Sequence, residues 1–551
     1  MTICEATIRM THLIYFQLVL FTLGLFCNLL ANTAAQCITG KYEECNKADF
    51  IPRHNLGGEG FDITTMTRKR AYVIYTEMKM SENNTCTLCK NRLQKNKYQV
   101  IPLYMVDWRI SSQCQRKVSS SVYQSAMSFS KSSSSQITND WKVGLNGIPI
   151  PGIDTDIVLA GSHSKLSEFA MKKSNRDKYC FTKHVFSCNT YTYRLRNHPR
   201  LESNFLGRLK NLPKEYNSTT KQRFFELIDI YGTHYINKVQ LGGRIQEVTA
   251  LRTCQMSLEG MTSEEVRDCL DMEASANAIK VKGSFKYKWC QTFMKEHLGG
   301  LKFSEKYNER SSEVIGGSVD KSADLLFSTG SGRRATFKAW TRSLVSEPDV
   351  ISYSLTPLHM LVDSDSHIKM NLGSSITDYI KEKAIQKNCN QCPLGKIQNQ
   401  RCVCGCLSSN TITSNCCSRK KGTATLTVMV LHGVDVYGYI FSTANFFVNV
   451  SFDSKSHRTD VIQSHNPHWN YTMDFGDVIL YPSSTIKVIP WDMLTLWNTK
   501  LGECVEPITH AKGWQEFICY LNKGKVILAY NVKCGPYLGG LYCDQYHTTP
   551  I

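Results

Sequence analysis

Beyond its first 35 residues the chain has no uninterrupted apolar stretch approaching the roughly 18 residues of a membrane-spanning helix. Any contact of the mature chain with a bilayer is therefore expected to use other means. Catalytic signatures are missing too. There is no nucleophile elbow, His-Glu-x-x-His zinc helix or glycine-rich phosphate loop, and His432, His457, His465 and His468 are isolated, so the chain is read as a non-enzyme. Acidic residues are in deficit: 47 Asp and Glu stand against 65 Lys and Arg, a formal charge of +18. That excess favours acidic surfaces such as anionic lipid, glycosaminoglycan or the polyanions of a storage granule.

After Arg9, the segment from Leu13 to Leu30 is nearly all apolar, interrupted by Gln17, Thr22 and Asn28, and Ala31-Asn32-Thr33-Ala34-Ala35 follows. Residues 1–35 read as a secretory signal cleaved near Ala35, with an uncleaved signal anchor as the alternative. Removing Cys4 and Cys27 leaves 21 of 23 cysteines, a usage natural in a disulfide-stapled secreted protein. Sequons begin at Asn83, Asn217, Asn449 and Asn470. Export makes nucleic acid the least suitable of the acidic partners.

A chain of 551 residues is too long for one core. Residues 36–388 are sparse in cysteine, with short β-type runs and helical stretches between them. Residues 389–418 hold Cys389, Cys392, Cys402, Cys404, Cys406, Cys416 and Cys417, a density that leaves no room for an apolar core and suggests a disulfide-held module of epidermal-growth-factor (EGF-like) size. Seven cysteines also allow a metal site, though export favours their oxidation. Arg419-Lys420-Lys421-Gly422 reads as a linker. From 423 to 530, short alternating strands (Leu426, Val428, Val430; Phe447, Val448, Val450; Ile486, Val488; Val526, Leu528) read as an all-β sandwich, followed by a tail at 531–551.

The run from Ala278 to Trp289 alternates Ile279, Val281, Phe285, Tyr287 and Trp289 with Lys280, Lys282, Ser284, Lys286 and Lys288. A strand crossing a membrane as part of a barrel needs about 9–11 residues, apolar towards lipid and polar towards a wet lumen. The run has that length and period, although alternation alone equally describes an amphipathic strand on a soluble sheet.

Tyr231-Gly232-Thr233-His234-Tyr235, after the helical Phe224-Phe225-Glu226-Leu227-Ile228 and before Leu241-Gly242-Gly243-Arg244, resembles the signature of the membrane-attack-complex/perforin (MACPF) family. Val314-Ile315-Gly316-Gly317 resembles the family's glycine pair at the bend of its central sheet. Cys86-Thr87-Leu88-Cys89-Lys90, Trp141-Lys142-Val143-Gly144-Leu145, Ala250-Leu251-Arg252-Thr253-Cys254, Asp324-Leu325-Leu326-Phe327 and Tyr353-Ser354-Leu355-Thr356-Pro357-Leu358-His359 follow the same order. The resemblance implies an α+β fold: a MACPF domain with a bent antiparallel sheet and flanking helical clusters, an EGF-like module and a sandwich similar to a C2 domain. It implies a secreted, granule-stored, pore-forming homo-oligomer that docks on lipid and unfurls two clusters into transmembrane hairpins. A secreted binding or signalling protein of the same fold that never perforates is the alternative, and delivery of a protease cargo is left open.

By this resemblance the second cluster spans roughly 253–310. Ile279, Val281, Phe285, Tyr287 and Trp289 are then expected to face lipid after insertion, and Lys280, Lys282, Lys286 and Lys288 the lumen, because a lysine at mid-bilayer costs about 2–4 kcal/mol. The first cluster, roughly 111–175, is rich in serine and its local sequence equally suits a surface loop. The resemblance pairs Cys37 with Cys89, Cys45 with Cys86, Cys114 with Cys188, Cys389 with Cys402, Cys392 with Cys404, Cys406 with Cys416, Cys254 with Cys417, Cys504 with Cys519 and Cys534 with Cys543. It leaves Cys180 without a counterpart and Cys269 with Cys290 as the residual pair. In the C2-like sandwich, Tyr439 and Asn445 stand where the family carries ligand aspartates, and Asp492 is the one evident match. One carboxylate is a poor calcium site. A crown of Tyr439, Phe441, Met493, Leu494, Leu496 and Trp497 beside cationic charge suits insertion into an interface without calcium, unless these residues pack inside the sandwich. Asp435 and Asp453 are the neighbouring acids that could rebuild an ion site.

Overall fold

The computed structural model describes residues 37–548 apart from 146–156, 159, 279–284, 320–323, 328–332, 363–366, 387–396, 399–403, 439–442 and 444. It divides into two compact units. The first holds most of the chain up to residue 388; the second holds Lys172–Cys180, Leu251–Glu265 and Cys389–Ile551.

An eight-stranded sheet organises the first unit: β1 (Glu59–Asp62), β2 (Thr67–Tyr72), β3 (Met105–Cys114), β4 (Ser119–Tyr123), β5 (Tyr179–Leu195), β6 (His234–Arg252), β7 (Arg310–Ile315) and β8 (Asp349–Pro357). The expectation of short β runs is corrected here, because β5 is 17 residues long and β6 is 19. Each changes neighbours along its length. β5 meets β3 through residues 188–195 and β4 through 181–185. β6 pairs with β8 up to Gly242 and with β7 from Arg244 to Thr249.

The glycines permit this exchange. A Cβ on Gly242 would lie 1.9 Å from the Cys188 carbonyl oxygen, so two backbones pass where no side chain fits. Gly316 and Gly317 end β7 with φ of +73° and +79°. A Cβ on Gly316 would meet the Gly242 oxygen at 2.2 Å, while the Gly316 carbonyl accepts from Trp340 Nε1 at 2.9 Å. The proposed hinge thus sits where β6 exchanges partners. Gly316→Ala is expected to lower stability by roughly 2 kcal/mol or more, through both clash and left-handed strain, and thermal unfolding would read it.

Helix α1 (Lys221–Tyr231) packs Phe224, Phe225, Leu227, Ile228 and Tyr231 into the main core with Phe61, Tyr193, Ile236 and Leu355. Gly232, at φ +83°, ends it, and a Cβ there would lie 2.4 Å from Phe61 backbone atoms. Beyond β6 come α2 (Ser263–Ala278) and α3 (Phe285–His297).

In the second unit, β9 (Thr423–Val434), β10 (Asn445–Phe452), β11 (His468–Ile479), β12 (Thr485–Met493), β13 (Asn498–Lys500), β14 (Gln515–Tyr520) and β15 (Lys525–Cys534) build a sandwich. One sheet runs β11-β9-β15-β14; the other is built around β10 and β12. Leu426, Val428, Val430, Val448, Val450, Ile486, Val488, Val526 and Leu528 share its core. β15 runs through residue 530, and Leu538 and Cys543 join that core.

Eight disulfides are described: Cys37–Cys89, Cys45–Cys86, Cys114–Cys188, Cys254–Cys417, Cys269–Cys290, Cys406–Cys416, Cys504–Cys519 and Cys534–Cys543. The pairings proposed for Cys389 with Cys402 and Cys392 with Cys404 fall outside the described residues. Cys180 is free and buried, with its thiol pushed up to about 12 by burial, so it is an inert core residue.

Candidate membrane-insertion and docking elements

The signature residues are structural. His234 is fully buried: Nε2 lies 2.9 Å from the Trp141 carbonyl oxygen and Nδ1 2.8 Å from Thr233 Oγ1. Burial holds it down to about 4, so the imidazole is neutral and acts as a buried strut between the start of β6 and the Trp141 backbone.

The second cluster is helical. Thr262 caps α2, its hydroxyl accepting from the Glu265 N–H at 3.2 Å while the Glu265 carboxylate accepts from the Thr262 N–H at 2.9 Å. Of the alternating run, residues 279–284 lie outside those described, and Phe285 onwards forms α3. A period of two wound onto a helix of 3.6 residues per turn cannot sort apolar from charged groups. Accordingly both Lys288 and Trp289 are exposed, Trp289 at 38%. A cavity of about 220 Å³ lies between the helices, beside Met272, Glu273, Gln291, Met294 and Phe327.

Beneath the cluster runs a buried polar seam. His184 on β5 is held down to about 4 by burial; its Nε2 lies 3.5 Å from the Arg267 carbonyl on α2, and its Nδ1 has no partner. On β6, Glu247 accepts the Leu326 N–H at 3.0 Å through Oε1; burial first, and then the neighbouring Asp324 carboxyl, pushes its carboxyl well above the usual range. Thr182, Thr249 and Asp271 add further buried oxygens without partners. Each such group costs about 1–3 kcal/mol while dry. Isolated Thr, His and Glu letters in a strand gave no sign of this seam.

The first cluster is mixed. β4 already pairs with β5, Ser125 caps a short helix at Ala126–Lys131, and Lys165–Ser174 is helical. Its serine run at 132–135 forms a 3-10 turn.

At one end of the sandwich, β12 and β13 form a hairpin closed by the Leu494 N–H donating to the Trp497 carbonyl at 3.1 Å. Met493 is 42% exposed, Leu496 85% and Trp497 61%. These three do not pack inside the sandwich. Leu494, expected on the crown, is half-buried; Tyr439 and Phe441 lie outside the described residues.

Asp492 is almost fully buried and accepts the Asn445 N–H at 3.0 Å, while Asn445 Nδ2 donates to the Met493 carbonyl at 3.3 Å. Asp453 follows the far end of eight-residue β10, about 25 Å from Asn445 at strand rise, so it cannot join Asp492 around one ion. Of the positions singled out for calcium, Tyr439 lies outside the described residues, Asn445 brings no carboxylate, and Asp492 brings one. Among the sequons, Asn83, Asn217 and Asn470 are exposed, and Asn449 is half-buried in β10, opposite Arg458 on one side and Ile489 on the other. No described helix is long and apolar enough to cross a membrane, which says nothing of strands.

A MAC/Perforin domain matches residues 52–389 and a C2 domain residues 424–517. Perforin-1 of Mus musculus is 37% identical over 537 residues, covering 96% of each chain, and Perforin-1 of Homo sapiens is 35% identical over 93% of each. The complement component C8 alpha chain of Oryctolagus cuniculus is 26% identical over 43% of this chain and 41% of its own. Among solved structures, GNIP1Aa from Chromobacterium piscinae aligns over 87% of this chain and 82% of its own at 12% identity, with a TM-score of 0.44. With the signature strut, the partner-exchanging sheet and the terminal sandwich in one order along the sequence, the chain belongs to the MAC/Perforin family.

Proposed function

We propose that the protein is a secreted, granule-stored cytolytic effector that docks on target membranes through its C2 sandwich, oligomerises side by side and inserts two hairpins per protomer. The supporting observation is a mismatch: the described end of a strand-period amphipathic run, Phe285 to Trp289, lies in a helix, where Lys288 and Trp289 are both exposed. Extending it against lipid and a wet lumen would satisfy both. Gly316 and Gly317 serve as the hinge at which the sheet straightens. Asn83, Asn217 and Asn470 are the accessible glycan acceptors. No group arranged for catalysis enters this mechanism.

Dye release from loaded liposomes, with binding followed on the same vesicles, tests the reading. Binding with release is expected; binding without release would favour the non-lytic binding protein of the same fold. Docking is expected to persist in chelator, because Asp492 is the one carboxylate that matches the family's ligand positions and one carboxylate is a poor calcium site. It should weaken as salt rises, since basic charge contributes. Vesicle flotation with calcium or chelator reads this, and binding lost in chelator would contradict it.

A further inference from the structure

We propose that the Cys269–Cys290 disulfide survives unfurling and sets the register of the second hairpin, with Asp271 directly across from Lys288 and Glu273 from Lys286 on its water-facing side. The proposal rests on the pore-forming reading. In the compact form the bond joins α2 to α3, with a Cα separation of 5.7 Å and both ends buried. That separation also suits two residues facing each other in an antiparallel ladder. This chain makes such bonds twice: Cys37 lies opposite Cys89 and Cys114 opposite Cys188, each pair in register and disulfide-linked.

Residues directly opposite share a face. Counted away from the bond, Leu270 meets Trp289, Asp271 meets Lys288, Met272 meets Tyr287, Glu273 meets Lys286 and Ala274 meets Phe285. Cys290 shares the parity of Lys286 and Lys288. Cys269 therefore carries Arg267, Asp271, Glu273 and Ser275 to the water side, and sends Leu270, Met272, Ala274 and Ala276 to lipid with Trp289. The residues from Cys269 to Ala276 took no part in assigning faces to the lysine run, yet the bond sorts them by polarity. A slip of one residue would turn both acids to lipid, and a slip of two would keep the faces but leave only one of the two acids opposite a lysine. On the other side of the bond Asp268 meets Gln291, so the apolar face ends one rung beyond it.

In the compact form the two acids have other partners. Asp271 is bonded to Ser120 near Lys117 and Arg267, and its Oδ1 lacks a partner. Glu273 accepts the Phe303 and Ser304 N–H groups at 2.8 and 3.0 Å, and Lys288 is exposed. The pairing of Asp271 with Lys288 thus belongs to the inserted state.

The test uses the full-length protein on phosphatidylcholine–phosphatidylserine vesicles loaded with dye. Asp271→Lys and Lys288→Asp are each expected to slow release roughly three- to tenfold at unchanged binding, and the double exchange to return it to within about twofold of the parent. A double exchange no better than the single changes would overturn the register. Pores alkylated at free thiols and digested should yield one disulfide-linked peptide pair containing Cys269 and Cys290; alkylated Cys269 and Cys290 would overturn survival of the bond. Failure of the unsubstituted protein to release dye while still binding would instead remove the pore-forming reading, and the register with it.

Discussion

Replacing Leu496 and Trp497 together by alanine should lower vesicle affinity at least tenfold while leaving thermal unfolding unchanged. Both side chains stand in solvent at the tip of the β12–β13 hairpin, at 85% and 61% exposure, so the fold loses almost no packing with them. Full burial of a large apolar side chain contributes about 1.5–3 kcal/mol. Even half of that for each, in the interfacial layer of a bilayer, sums to more than the roughly 1.4 kcal/mol of a tenfold change. Leu494→Ala should do less on the membrane and more to the fold, because Leu494 is half-buried and its backbone closes the turn. Flotation against vesicles of fixed composition, beside thermal melts, separates these effects. Unchanged affinity in the Leu496/Trp497 variant would place docking elsewhere.

A disulfide between β4 and α2 should separate docking from lysis. A side-chain hydrogen bond joins Ser120 to Asp271, so these two positions are chosen for the cysteines. β4 is already laced to β5 through Ser119–Val185 to Tyr123–Phe181. With the Ser120→Cys/Asp271→Cys bond closed, α2 cannot leave the sheet. Dye release should fall to background while vesicle binding, which uses the sandwich, stays at the parental level. Mild reduction should restore release to the rate of the same variant never oxidised. Release by fully cross-linked protein would show that the second cluster need not unfurl.

Legibility followed physical range. The sandwich could be read because alternating Leu426, Val428 and Val430 is a local signal, and the core holds those residues. The β5–β6 pair was read as shorter pieces, since glycine in a sequence punctuates, whereas Gly242 lies inside an unbroken strand where a second backbone passes close by. Resemblance supplied the MAC/Perforin order and the disulfide pairs that composition could not. The exposed tip was half legible: apolar letters around Asp492 marked it, but only the turn geometry separates solvent-facing Leu496 from half-buried Leu494. The seam of His184, Glu247, Thr182 and Thr249 was invisible, because each partner comes from a distant element or is lacking altogether. The alternating run is the reverse case. Its sequence describes a strand, while Phe285–His297 is a helix in this form, so the sequence there carries the signature of a second state.

Single environment-sensitive labels at Lys286, Tyr287, Lys288 and Trp289, read before and after lysis of liposomes, test that second state most directly. Before lysis, labels at Lys288 and Trp289 should both report water, as their exposure on α3 requires. After lysis, signals at Tyr287 and Trp289 should become apolar while those at Lys286 and Lys288 stay wet, a strict period of two. A period of three to four, or uniformly wet signals in vesicles that have released their dye, would contradict insertion of this run as a transmembrane strand.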